Sequence, residues 1–228
     1  MNKNLLLFGS EGTLGSALRT RLESQFESCL FYDRSPTTAR TAECDFSSIN
    51  ACRATAENLI DRINGSVTVL LASGLYDGSK AMDGYSILDS LTVNLIGPVL
   101  LLNSLAEAAV ENNNRARFVI VASSAARVGS RDIGYGTAKA GLEGFVRSIS
   151  KSYAQRGVTA IGVNPGIFSS KMSAGQSHER QATAVSSTHL KRAADITEVA
   201  DVCVYAALSA PDCLTGTFIS PNGGEVNT

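Results

Sequence analysis

The strongest constraint on the fold of this chain is an alternation of two hydrophobic patterns along its whole length. Short runs that are apolar at nearly every position are separated by longer stretches in which apolar residues return at helical spacing. A strand that is apolar throughout must be covered on both faces, whereas a half-buried strand alternates. Buried strands joined by helices form a parallel sheet between two helical layers. The sequence therefore predicts an α/β fold: one doubly wound domain with a mostly parallel sheet and helices on both faces. Its strands are Leu5–Phe8, Cys29–Tyr32, Val67–Leu71, Phe118–Ala122, Thr159–Val163 and Thr217–Ile219. Its helices are Leu14–Glu23, Asn50–Ile63, Tyr85–Glu111, Tyr135–Gln155 and Ile196–Leu208.

No repeat or proline-rich linker divides the pattern, so residues 1–228 read as a single domain. The irregular stretch is Gly166–Ala193, rich in Ser, Ala, Gln and Thr. It follows a strand's carboxyl end, where such sheets place a lid over their ligand.

Charge narrows the partners. With 20 Lys and Arg against 21 Asp and Glu, the chain has no net field for a phosphate backbone or an anionic membrane. Neither nucleic acid nor a membrane is expected. The first apolar run, Leu5–Phe8, is too short for a signal segment or a span. Five cysteines without a C-x-x-C pair read as reduced thiols of a cytoplasmic protein, not a metal or disulfide framework. His178 and His189 lie in the polar insertion without further ligands at metal-binding spacing, so they read as surface or rim residues.

Chemistry enters with Gly9-Ser10-Glu11-Gly12-Thr13-Leu14-Gly15, directly after the first strand. Gly9, Gly12 and Gly15 allow a tight turn and close approach of backbone to a pyrophosphate. Thr13 and Leu14 open a helix whose free N–H groups face the anion. Eighteen residues past Gly15, Asp33 ends the second strand, where a carboxylate can accept both hydroxyls of an adenosine ribose. That favours NAD. Arg34 beside it could instead bind a 2′-phosphate and admit NADP.

Tyr135 and Lys139 stand four residues apart, one turn on a helical face. A cation there favours phenolate, which would bring the tyrosine toward neutral working pH as a general acid or base. Ser123 and Ser124 close the fourth strand, at the edge where an α/β sheet places its ligand. Either hydroxyl could hold a substrate oxygen. Asp132 has no acidic partner and reads as a loop or helix-capping residue.

Together these residues resemble the short-chain dehydrogenases/reductases, in their single-domain Rossmann-like branch. The resemblance covers nearly the whole chain, with the motifs in order. It implies an alcohol–carbonyl oxidoreductase using NAD or NADP on a small-molecule substrate. It assigns Asp45 and Phe46 to the adenine, and Ala72-Ser73-Gly74 to the turn after the third strand. Asn94 is similar to the asparagine that kinks its helix and orders a water on the proton path. Ser124 is implied as the substrate-orienting hydroxyl, with Ser123 the alternative, and Lys139 also holds the nicotinamide ribose. Pro165, Gly166 and Ser170 resemble the nicotinamide-side turn. Relatives pair as dimers or tetramers through the long helices and last strand, and Ala138, Ala140, Gly141 and Gly144 would let helices approach closely.

The chain departs from the family pattern at Phe8, which replaces a threonine, and at Leu71 and Ala72, which replace paired asparagines. The serine-to-tyrosine interval is two residues short. These departures leave two other readings: a non-catalytic dinucleotide-binding sensor or scaffold, and a nucleotide-sugar epimerase or dehydratase.

Overall fold

A computed structural model describes residues 4–62, 65–76, 84–174 and 177–225. The predicted helix end at Ile63 lies outside them. Seven strands form one parallel sheet: β1 (Asn4–Phe8), β2 (Ser28–Asp33), β3 (Thr41–Glu43), β4 (Val67–Leu71), β5 (Ala116–Val121), β6 (Val158–Val163) and β7 (Phe218–Ile219). Their order across the sheet is β3-β2-β1-β4-β5-β6-β7. The chain runs outward from β1 to β3, then crosses back to β4 on the other side of β1. The carboxyl ends of β1 and β4 flank that reversal, and doubly wound sheets bind ligands in this crevice.

Strand pleating divides the core in two. Leu6 and Phe8 of β1 face a cluster with Leu101, Leu105, Leu142 and Val146. These come from α4 (Gly97–Glu111) and α6 (Ile133–Tyr153), beside which α2 (Ile49–Ile60) packs. Leu5 and Leu7 face the opposite cluster, built with α1 (Thr13–Leu22) and α9 (Ile196–Leu208). Burial of β1, β4, β5 and β6 on both faces explains their unbroken apolar runs.

Sequence-local signals set several helix starts. The Ser48 hydroxyl caps α2 by accepting the Ala51 N–H at 3.2 Å. Asp195 and Glu198 form a capping box on α9. Asp132 caps α6, accepting the Tyr135 N–H at 2.8 Å, so that helix begins two residues before the predicted start. By contrast α1 has Gly12 at its N-cap, with no side-chain cap and no acid in its first turn.

Two predicted elements change character. The long helix over 85–111 is α3 (Gly84–Leu91), a π turn at Thr92–Ile96, and α4. Its apolar part, Ile87–Glu111, is long enough to cross a membrane by length and composition, yet half of its most apolar stretch is buried within the protein. The polar stretch after β6 is partly helical, with α7 (Lys171–Ala174) and α8 (His178–Ser187). The short helix α5 (Ala125–Val128) leads from β5 toward α6.

Candidate functional site

Two adjoining cavities open at the carboxyl edge of the sheet. The smaller, about 510 Å³, is lined by Gly9, Glu11, Asp33, Arg34, Asp45 and Phe46, among others. The larger, about 690 Å³, contains Ser123, Ser124, Tyr135, Lys139, Pro165 and Gly166. Thr13, Leu14 and Ser170 line the larger as well. Gly12, Ala72, Ser73 and Gly74 border both. The sequence-predicted nucleotide residues thus lead, through a shared rim, to the predicted reaction residues.

The glycine turn fits a pyrophosphate. Gly9 has φ +80°, and a Cβ there would lie 2.7 Å from the Ser73 backbone. A Cβ on Gly15 would strike the Gly9 carbonyl at 1.9 Å, so Gly15 lines neither cavity and instead seats α1 on the turn. The uncapped start of α1 faces the shared rim, carrying the positive end of a ten-residue helix with no acid in its first turn to oppose an anion. Asp33 Oδ2 accepts the Glu11 N–H at 3.0 Å, tying the end of β2 to this turn. Asp45 receives Ser47 N–H and hydroxyl bonds at 2.9 and 2.8 Å, and Phe46 is buried against Phe8.

Around the phenol the geometry departs from expectation in three ways. First, the hydroxyl whose influence lowers the proton affinity of Tyr135 belongs to Ser123, whose Oγ also accepts the Ala125 N–H at 3.1 Å. Ser124 is buried, and its backbone N–H donates to the Pro165 carbonyl at 2.9 Å.

Second, the phenol is not drawn toward neutrality. Burial pushes it up to about 12 against the opposing hydrogen bond from Ser123, with Tyr76 and Asp132 adding to the rise. The Tyr76 ring meets the Tyr135 ring edge-on, with centroids 5.2 Å apart. Sequence reasoning missed Tyr76, which carries no motif. The Lys139 ammonium lies 5.6 Å from the Tyr135 ring centre and donates to the Val121 carbonyl at 3.1 Å. Burial holds Lys139 down at about 8.

Third, Asn94 lines neither cavity and its side chain is fully engaged. Its Nδ2 donates to the Leu75 and Ser90 carbonyls at 2.8 and 2.9 Å, and its Oδ1 accepts the Leu75 N–H at 2.8 Å. The π turn aims this amide at the backbone after β4. A Cβ on Gly74 would come within 3.3 Å of Lys139 Nζ and 3.6 Å of Asn94 Oδ1, so glycine leaves room for both.

His178 begins α8, and His189 rests against the Gly223–Gly224 turn, its N–H donating to Gly223 at 2.8 Å. Among the described residues no three His, Cys, Asp or Glu side chains gather as a metal site.

Comparison with known proteins identifies the family. A family model described as Enoyl-(Acyl carrier protein) reductase matches residues 31–225. A 3-oxoacyl-[acyl-carrier-protein] reductase of Aquifex aeolicus is 30% identical over 181 residues, covering 78% of this chain and 71% of that protein. The counterpart from Vibrio harveyi is 28% identical over 137 residues, 60% of this chain, and the match spans only 56% of that protein. A solved Brucella melitensis structure, titled short-chain dehydrogenase/reductase SDR:glucose/ribitol dehydrogenase, superposes with TM-score 0.85 over 100% of this chain and 98% of that one, at 23% identity. Because the family match extends from β2 to beyond the last strand, the chain belongs to the short-chain dehydrogenase/reductase family of oxidoreductases.

Proposed function

We propose that this chain interconverts an alcohol and a carbonyl on a small-molecule substrate, using a nicotinamide dinucleotide seated along the two cavities. The observation that carries the proposal is the cluster of Tyr135, Ser123 and buried Lys139 in a cavity sharing its rim with the glycine turn. When bound, the dinucleotide supplies or accepts the hydride. Asp33 would meet the adenosine ribose, the start of α1 the pyrophosphate, and Lys139 the nicotinamide-side ribose, with Pro165, Gly166 and Ser170 beside the nicotinamide itself.

In the reducing direction, the Ser123 hydroxyl holds the carbonyl oxygen and Tyr135 donates a proton to it as negative charge develops. A phenol held near 12 enters that step protonated, as an acid must. The Lys139 charge then stabilises the phenolate left behind. Asn94 acts one layer out, fixing the Leu75 backbone beside Gly74 and Tyr76. The relatives named 3-oxoacyl-[acyl-carrier-protein] reductases support a carbonyl substrate. The stretch 166–193, through α8, would serve as the lid of a single catalytic domain.

A non-catalytic scaffold has no use for an ammonium 3% exposed beside a cavity-lining phenol, so Lys139 weighs against that reading. Replacement Tyr135→Phe tests the proposal. Turnover against a panel of ketones and alcohols should fall by about a thousandfold or more, while NADH affinity stays within about threefold of wild type. Full turnover in that variant would refute it.

A further inference from the structure

One buried carboxylate lies outside both cavities and has no part in the steps above. Glu143, in the middle of α6, is 6% exposed. Its Oε1 accepts two bonds at once, from Arg127 Nε at 2.9 Å and from Asn164 Nδ2 at 2.7 Å. Its Oε2 accepts from Arg147 at 2.9 Å. Burial alone would raise this carboxyl, but the bonds from Arg127, Arg147 and Asn164 hold it below its ordinary value, so it stays ionised.

The two partners on Oε1 belong to the two segments that border the phenol. Arg127 is in α5, three residues after Ser124, and its N–H donates to the Ser124 carbonyl at 2.8 Å. Asn164 immediately precedes Pro165-Gly166 and is pinned to β7 through an N–H bond to Ile219 at 2.9 Å. A single direct bond, Ser124 N–H to Pro165 carbonyl, otherwise joins these segments at their tips. Asn164 Oδ1 is buried without a hydrogen-bond partner, so the amide is held by its Nδ2 bond to Glu143. A shared charged acceptor makes each donor's position depend on the other, because loss of either leaves the buried charge under-satisfied.

We propose that Glu143 is a positioning residue that couples the serine segment, Ser123–Val128, to the nicotinamide-side turn, Asn164–Gly166, so that the two keep one mutual geometry. Its role in turnover rests on the reading under Proposed function, whereas the coupling does not.

The test is amide hydrogen exchange on the full chain, with and without NADH, comparing wild type with Arg127→Met, Asn164→Ser and Glu143→Gln. Arg127→Met should speed exchange about tenfold in the distant segment 164–166, and Asn164→Ser should do the same in 123–128. A merely local defect would stay on the mutated side. Arg127→Met and Asn164→Ser carry the test should Glu143→Gln fail to fold. The swap Glu143→Gln with Asn164→Asp, which restores an amide-to-carboxylate bond, should return exchange in both segments toward wild type. For any substrate the wild type turns over, Glu143→Gln should lower kcat about tenfold with NADH affinity changed less than about threefold. Exchange changes confined to the mutated segment would overturn the coupling even if the enzyme is active. An inactive wild type whose segments still respond to each other would sink the catalytic reading and leave the coupling standing.

Discussion

Under the proposed function, Lys139 would serve chemistry at the expense of the fold. Its proton affinity drops from an ordinary 10.5 to about 8 because burial penalises the ammonium. Between pH 8 and 10.5 the unfolded chain binds a proton that the folded chain does not, so stability rises with pH through that window. The penalty is fully in force below about 8. At about 1.4 kcal/mol per unit it is on the order of 3 kcal/mol. Lys139→Met should therefore abolish turnover yet raise Tm at pH 7 by several degrees, with the gain fading by pH 10.5. Melting curves at the two pH values decide it, and a lower Tm at pH 7 would contradict the penalty. Wild-type reductive kcat/KM should also fall as pH rises through about 8, where the charge is lost. The serines give a second contrast. Ser123→Ala should cost about a hundredfold in kcat and Ser124→Ala less than about fivefold, because Ser123 is the serine that acts on the phenol. The reverse order would restore the sequence-based choice. Sequence spacing found Tyr135 and Lys139 because both ride one helix. It could not choose between the serines, because β5 ends at Val121 and the chain beyond no longer follows strand alternation.

At the scale of elements, the end of β2 and the glycine turn set the chemistry of the smaller cavity together. Asp33 binds the Glu11 backbone, while the Glu11 carboxylate reaches the Thr37 N–H at 3.0 Å, the Thr37 hydroxyl, and the Thr38 hydroxyl at 3.3 Å. Those bonds, chiefly from Thr37, hold Glu11 down at about 2. Two carboxylates therefore line, together with one guanidinium, Arg34, the space proposed for the adenosine. A 2′-phosphate would bring further negative charge into that space, against the two carboxylates already there. NADH should bind on the order of a hundredfold tighter than NADPH in fluorescence titrations, and Glu11→Ser with Asp33→Ser should narrow the gap to less than about tenfold. Equal wild-type affinities would reverse this preference. Asp33 was legible from its place after a strand, but Glu11 was not, since its reach to Thr37 and Thr38 crosses 26 residues of chain. The strand β3 was missed for a related reason: Thr41–Glu43 has one buried residue in three and pairs only at the sheet's edge.

For the whole molecule, the doubly wound fold class and the two-faced core followed from apolar periodicity, because burial on both faces writes itself into every residue of a strand. What periodicity could not separate was which small residues of α6 serve the interior and which the outside. Ala138 is fully buried in the chain's own core, and a Cβ on Gly141 would meet the Leu95 side chain at 2.6 Å. Both belong to intramolecular packing, so the stripe available to another copy narrows to Ala140 and Gly144, which are exposed. Nothing lies within 4 Å of a Cβ built on Gly144. Leu88 and Ile133, on the packed pair α3 and α6, are each 55% exposed and leave apolar surface uncovered. A second α6 against this stripe would bury that surface and allow close helix approach, giving a homodimer or homotetramer. Light scattering should then give two or four times 23.9 kDa. Gly144→Gln should shift the mass to 23.9 kDa. That shift could not be blamed on unfolding, because replacing a mid-helix glycine by glutamine strengthens the isolated helix by roughly half a kcal/mol or more. The new side chain has open space in one chain and none between two closely packed helices. A wild-type mass of 23.9 kDa, or a variant that assembles like wild type, would move the interface away from α6.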